Sequence, residues 1–275
     1  MKKLALALIS VAAFSGTALA ADMAVKAPAY KALPQVAIYD WSGLYIGANG
    51  GGGSAHSCWS LLGASNAAAT VVFNPPQAEG CNAATGGTLG GQLGYRWQAT
   101  NWLFGLEAQG NWANFRGSNL NPAPAGPPGG VNDVTKIDAF GLFTGQVGYA
   151  FNNVLIYAKG GAAVVQNKYS TTLTAIGVAA TGTPGAFVGQ TFNSGSESRW
   201  GGTVGAGLEF GFAPHWSVAL EYDHLFMGSS NVTLNVLPPF PTAAFLNANQ
   251  RISQDIDIGT LRVNYTFGGP VVAKY

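Results

Sequence analysis

The chain has 275 residues, of which 48% are hydrophobic and 9% charged, with 13 Lys and Arg against 12 Asp and Glu. A soluble protein carries roughly 25% charged residues, so the composition excludes a surface wetted all round. No run of basic residues marks a nucleic-acid binder.

Lys2 and Lys3, the apolar run from Leu4 to Phe14 and the small residues Ala18 and Ala20 either side of Leu19 form the pattern of a secretory signal. Cleavage is expected after Ala20, making residues 1–20 the signal peptide and leaving 11 basic against 12 acidic residues. No cysteine stands at that junction to carry a lipid anchor. No later apolar run approaches the ~20 residues of a membrane helix. An exported chain embedded in a membrane must then be a closed barrel, because open sheet edges cannot be satisfied in hydrocarbon. Residues 21–40 lack periodicity and read as a periplasmic lead-in.

Alternation of side chains then runs to the end of the chain. The first strand begins at Trp41, with Leu44, Ile46 and Ala48 on one face and Tyr45, Gly47 and Asn49 on the other. A long loop is expected over residues 54–84. The second strand, 85–97, turns Leu89, Leu93, Tyr95 and Trp97 outward and Thr88, Gln92 and Gly94 inward. After a short turn the third, 102–112, shows Trp102, Phe104 and Leu106 outward and Glu107, Gln109 and Asn111 inward. A Pro/Gly loop at 121–130 precedes the fourth strand, 136–150, and the turn Asn152-Asn153 leads to the fifth, 154–165, with Lys159 inward. A third loop occupies 166–196. Strands six and seven run from Trp200 through Ala213-Pro214 to Tyr222: Val204, Leu208, Phe210, Trp216, Val218 and Leu220 share the apolar face, and Glu209, Ser217 and Glu221 the other. A fourth loop spans 228–249. The eighth strand ends with Leu261, Val263, Tyr265 and Phe267 outward and Thr260, Arg262 and Asn264 inward. Ile256-Asp257-Ile258 looks out of phase, which predicts a bulge near Gly259 or a strand already clear of the bilayer.

Eight strands with three short turns and four long loops predict an all-β fold, an eight-stranded antiparallel transmembrane barrel with periplasmic turns and extracellular loops. Aromatics at the short-turn end, namely Trp41, Trp97, Trp102, Tyr149, Phe212, Trp216, Tyr265 and Phe267, form an expected interfacial girdle. Trp112, Trp200 and Phe226 make a thinner second one. A soluble lipocalin-like barrel would carry apolar residues inside and charges outside, the reverse of these phases.

The inward charges Glu107, Lys159, Glu209, Glu221 and Arg262 come from different strands. Two readings stand: a salt-bridged plug, because unpaired buried charges are costly, or a selectivity constriction for ions. Eight strands leave room for little more than side chains, which favours the plug. Cys58 and Cys81, an even count in an exported chain, are expected to pair; a metal site using both with His56 is the weaker alternative. His215, Ser217 and Glu221 invite a hydrolase reading, but they are expected to point inward at the periplasmic end, away from an outer-leaflet substrate. The runs 86–91 and 201–207 are glycine-rich but continue as strands, so they are no phosphate cradle. Their glycines make room in a tight lumen, and no cofactor is expected.

Residues 40–49, DWSGLYIGAN, resemble the opening strand of the alphaproteobacterial outer-membrane immunogenic protein family, porin-like barrels related to opacity proteins. GQLGY at 91–95, GQVGY at 145–149, YAKGG at 157–161 and VNYTFGG at 263–269 are similar echoes in the same order. The resemblance covers the strands, about half the mature chain, and leaves the loops unmatched. It implies an eight-stranded outer-membrane barrel, residues 41–267, with a structural or porin-like role and no catalytic residues. Its partners would be outer-membrane lipid and lipopolysaccharide and the barrel assembly machinery, which reads a terminal aromatic. Phe267 is taken as that residue, with 268–275 as a periplasmic tail; the terminal Tyr275 is the alternative. The expected work is structural support of the envelope and presentation of loops; the alternative is a narrow porin for ions or small polar solutes.

Overall fold

The computed structural model describes residues 39–66, 69–121, 130–174, 188–240 and 246–268. The expectations for the signal peptide, most of the lead-in and residues 269–275 lie outside them. Eight antiparallel strands close into a ring in sequence order: β1 (Gly43–Ser65), β2 (Thr70–Ala99), β3 (Trp102–Leu120), β4 (Val131–Phe151), β5 (Val154–Leu173), β6 (Thr191–Ala213), β7 (Trp216–Val236) and β8 (Asn247–Phe267). β8 zips onto β1 from Leu44 opposite Phe267, so Phe267 does end the last strand.

At one end, two-residue turns join β2 to β3, β4 to β5 and β6 to β7, with Thr100, Asn152 and His215 at positive φ. Such tight hairpins need the left-handed conformation, which Asn accepts at low cost. The other end differs from expectation. A bilayer requires about 9–11 residues of tilted strand, yet these strands run 19 to 30 residues. Segments expected as loops continue the ladder: the first loop is largely the paired ends of β1 and β2, with Ser54 opposite Thr85 and Cys58 opposite Cys81.

On the outer surface the phases are as expected within the bilayer band. Trp97, Trp102, Phe212, Trp216 and Phe267 are exposed, and Tyr149 and Tyr265 stand beside Trp102 and Trp216 in edge-on pairs with centroids 5.5 and 5.1 Å apart. Trp112, Trp200 and Phe226 mark the outer boundary. Trp41 is the exception, buried inside the barrel mouth with Leu103, Ala150, Leu155 and Tyr157. β1 begins only at Gly43, and Trp41 shares the parity of Tyr45, the inward phase; its indole N–H donates to the Asn152 carbonyl at 3.2 Å.

No bulge occurs at Gly259. β8 pairs without a shift from Gln254 to Phe267 on its β1 side, and Ile256 and Ile258 are buried inside like Thr260 and Arg262. What changes along β8 is the surroundings: once clear of the bilayer, its outward residues become Asp257, Asp255 and Arg251.

Candidate functional site

The lumen within the bilayer band holds all five inward charges singled out from the sequence, and the fold brings them into one network. Arg262 on β8 donates through Nη2 to Glu107 Oε2 on β3 at 2.6 Å, and through Nη1 to Glu221 Oε2 on β7. Lys159 on β5 stands 2.7 Å from Glu221, 3.4 Å from Glu107 and 3.2 Å from Asp223. Tyr45 and Tyr157 donate their hydroxyls at 2.6 Å to Glu107 and Glu221. Nearer the periplasm, Glu209 on β6 accepts from Arg96, diametrically opposite on β2, at 2.9 Å, and also from Asn264 and Ser217. Three cations thus meet four carboxylates, all with buried side chains.

Glycine makes this packing possible. A methyl group at Gly94 would strike the Tyr45 hydroxyl, and one at Gly207 the ring of Tyr157. Without those two tyrosines across the lumen, the carboxylates would each lose a donor. An amide chain continues the network outward: Gln92 donates to Asn264 at 2.7 Å, Asn49 to Gln92 at 2.7 Å and Asn111 to Asn49 at 2.6 Å.

Arg96 did not stand out in the sequence, although its parity with Gln92 and Gly94 marks it as inward. Its guanidinium lies 4.2 Å from the centroid of Tyr45. The apolar filling further out was also missed. Phe115, Ile137, Phe140, Leu142, Val165, Leu225, Met227, Ile256 and Ile258 form a buried cluster inside the barrel, contributed by β3, β4, β5, β7 and β8. The lumen is therefore not polar throughout: a charged layer is followed by an apolar one. In β4 a register shift between Ile137 and Ala139 changes which parity faces inward, so Ile137, Phe140 and Leu142 can all fill this layer.

Beyond the outer boundary, the strand extensions carry buried acids. Asp133 accepts from Thr171 at 3.1 Å, and burial, with Glu79 nearby, pushes its carboxyl up to about 8. Glu79 is raised too, chiefly by burial. Arg199 is buried there with Tyr169, pairs with Glu197 and donates to the Ile252 carbonyl at 3.0 Å.

Cys58 and Cys81 are joined by a disulfide. His56 Nε2 sits 3.4 Å from Cys58 Sγ, but sulfurs bonded to each other offer no thiolate to a metal. The hydrolase-like pairing of His215 with Ser217, argued against on sequence grounds, does not form. Ser217 turns inward and donates to Glu209, whereas His215, in the turn at φ 68°, lies with its ring 5.9 Å from that of the girdle residue Tyr265. His224, on the outward face, pairs with Asp257 at 2.7 Å.

A family model described as outer membrane protein β-barrel domain matches residues 5–267. The chain is 28% identical to the 31 kDa outer-membrane immunogenic proteins of Brucella melitensis biotype 1 and Brucella suis biovar 1. Each match runs over 238 residues, 84% of this chain and 90% of the relative. Among solved structures, the outer membrane protein OprG from Pseudomonas aeruginosa is similar at 14% identity, with a TM-score of 0.46 over 83% of this chain and 97% of that one.

Proposed function

Because this chain belongs to the outer membrane protein β-barrel family and resides in the Gram-negative outer membrane, we propose that it is a sealed barrel that reinforces the envelope and presents its outer hairpins to the exterior. The observation that carries this reading is the bridging of the lumen from wall to wall. Arg96 and Glu209 join opposite strands, and Arg262 and Lys159 tie β3, β5, β7 and β8 through two shared glutamates. A water-filled passage would need these pairs parted, and breaking a buried pair costs about 3–5 kcal/mol.

The reading is non-catalytic: Ser217 donates not to a histidine but to Glu209, a carboxylate already held by Arg96 and Asn264. Relatives named as immunogenic proteins agree with a surface exposed outside the cell.

The test is single-channel recording of the refolded mature protein in planar bilayers beside Glu221→Gln and Lys159→Met, with folding of each verified by gel shift. Silence from the folded parent and both variants is expected. Steady openings whose size or ion preference changes in the variants would make the protein a narrow porin with a charged constriction.

A further inference from the structure

Three cations stand in one row on the outward face: Arg116 of β3 is directly opposite Lys136 of β4, which is directly opposite Lys168 of β5. Like charges in facing positions of a sheet repel, and nothing in the strand phases requires them there. Within the row the counter-charge is Asp138, 2.5 Å from Lys136 and 2.7 Å from Lys168. Arg116 donates through Nε to the neutral Asn114 at 3.1 Å. The row therefore keeps a surplus of two positive charges, on side chains that are partly or largely exposed.

Its height is informative. Lys136 lies three residues beyond Ala139, the partner of the boundary residue Trp112. At ~3.3 Å per residue and a tilt of about 40°, this is roughly 8 Å past the boundary. A bilayer's headgroup layer is about 5–8 Å deep on each side, and Arg and Lys side chains reach back several ångströms along their stems. Beside the row a hollow of about 660 Å³ is bordered by Lys136, Lys168, Ser170, Ser194, Ser196 and Asn235. It offers hydroxyls and an amide next to the cations.

The geometry points to a docking site for the phosphorylated headgroup of an outer-leaflet glycolipid, with Arg116, Lys136 and Lys168 holding its phosphates and the serine-lined hollow receiving sugar. A phosphate between facing cations turns repulsion into charge-assisted hydrogen bonding. The barrel is thereby fastened to the leaflet around it, whether or not its lumen conducts.

The test measures binding of purified lipopolysaccharide to the folded protein in phosphatidylcholine vesicles, with the same material stripped of its phosphates as control. Arg116→Gln/Lys136→Gln/Lys168→Gln should bind roughly a hundredfold more weakly, about a factor of five per cation removed. Asp138→Asn, which removes the competing anion, should bind severalfold more tightly. The stripped material should not distinguish parent from variants. Equal affinity of parent and triple variant would overturn the proposal, as would displacement of the glycolipid by millimolar inorganic phosphate. If the triple variant fails its gel-shift test of folding, Asp138→Asn decides alone: unchanged or weaker binding overturns the site.

Discussion

Arg262 holds two carboxylates from strands on either side of the lumen, so its loss would leave both to the single cation of Lys159. Arg262→Met should strip Glu107 and Glu221 of their shared guanidinium and cost about 3–5 kcal/mol, read as a lower urea midpoint of the gel shift. Adding Glu107→Gln should recover part of the loss, because the buried negative charge left in excess is then reduced by one; a double variant no more stable than the single would contradict the network. At the outer end, Asp133 makes the opposite kind of prediction. Its folded pKa, pushed up to about 8 by burial and Glu79, exceeds the ~3.9 of an unfolded chain. The folded state therefore prefers the protonated acid. Stability should be full below about pH 4, decline as the pH rises towards 8, and level off beyond it, with a slope of up to about 1.4 kcal/mol per pH unit. Glu79, raised as well, contributes with the same sign. Urea midpoints at pH 5, 6.5 and 8 should fall in that order, and Asp133→Asn should flatten the trend and be the more stable protein at pH 8.

Each strand spans two solvents, and the β1–β2 hairpin carries the mechanical consequence. Its disulfide joins Cys58 and Cys81, 23 residues apart and directly paired across the ladder. Closing a loop of that size contributes roughly 3 kcal/mol in the chain-entropy picture. Because the bond lies beyond the bilayer, Cys58→Ser/Cys81→Ser should loosen the hairpin without unfolding the barrel. Protease cutting within residues 60–78 should accelerate while the gel shift stays intact; a lost gel shift would show that the bond holds the whole ring. The same two-solvent character decides what could be read from the sequence. Between Trp102 and Trp112, or Trp216 and Tyr222, lipid demands apolar residues at every outward position, so strand phase and the five lumen charges were legible. Past that band the demand reverses. Ile256 and Ile258 face in while Asp255 and Asp257 face out, a soluble barrel's pattern that looked like a phase error. Small polar residues such as those of 191–199 resemble a loop, yet they pair as β6 because the ladder below sets their register. Trp41 differs: its aromatic identity points to the girdle, but its parity aligns it with Tyr45, inward.

Across the whole molecule, the proposed seal would consist of two unlike layers in series, ion pairs within the bilayer and an apolar cluster towards its outer boundary. Flow through a series of barriers is limited by whichever remains, so opening one layer leaves the other in place. The ionic layer opposes passage because parting its pairs exposes buried charges; the apolar layer does so because Phe115, Ile137, Leu225 and Ile256 offer water no hydrogen-bond partner. Phe115→Ala/Ile137→Ala should therefore remain silent in planar bilayers, although each truncation of a buried apolar side chain costs about 2–5 kcal/mol of stability. Lys159→Met should be silent too. Combining all three should produce ion-carrying openings, since a cavity in the outer layer would then meet a lower layer with one cation missing. Openings already in the apolar double variant would show that the ion pairs do not close the barrel and would assign closure to the outer layer alone. Silence from a folded triple variant would instead place the principal barrier at the mouth occupied by Trp41, Leu103 and Leu155, which Trp41→Ala in that background would then open.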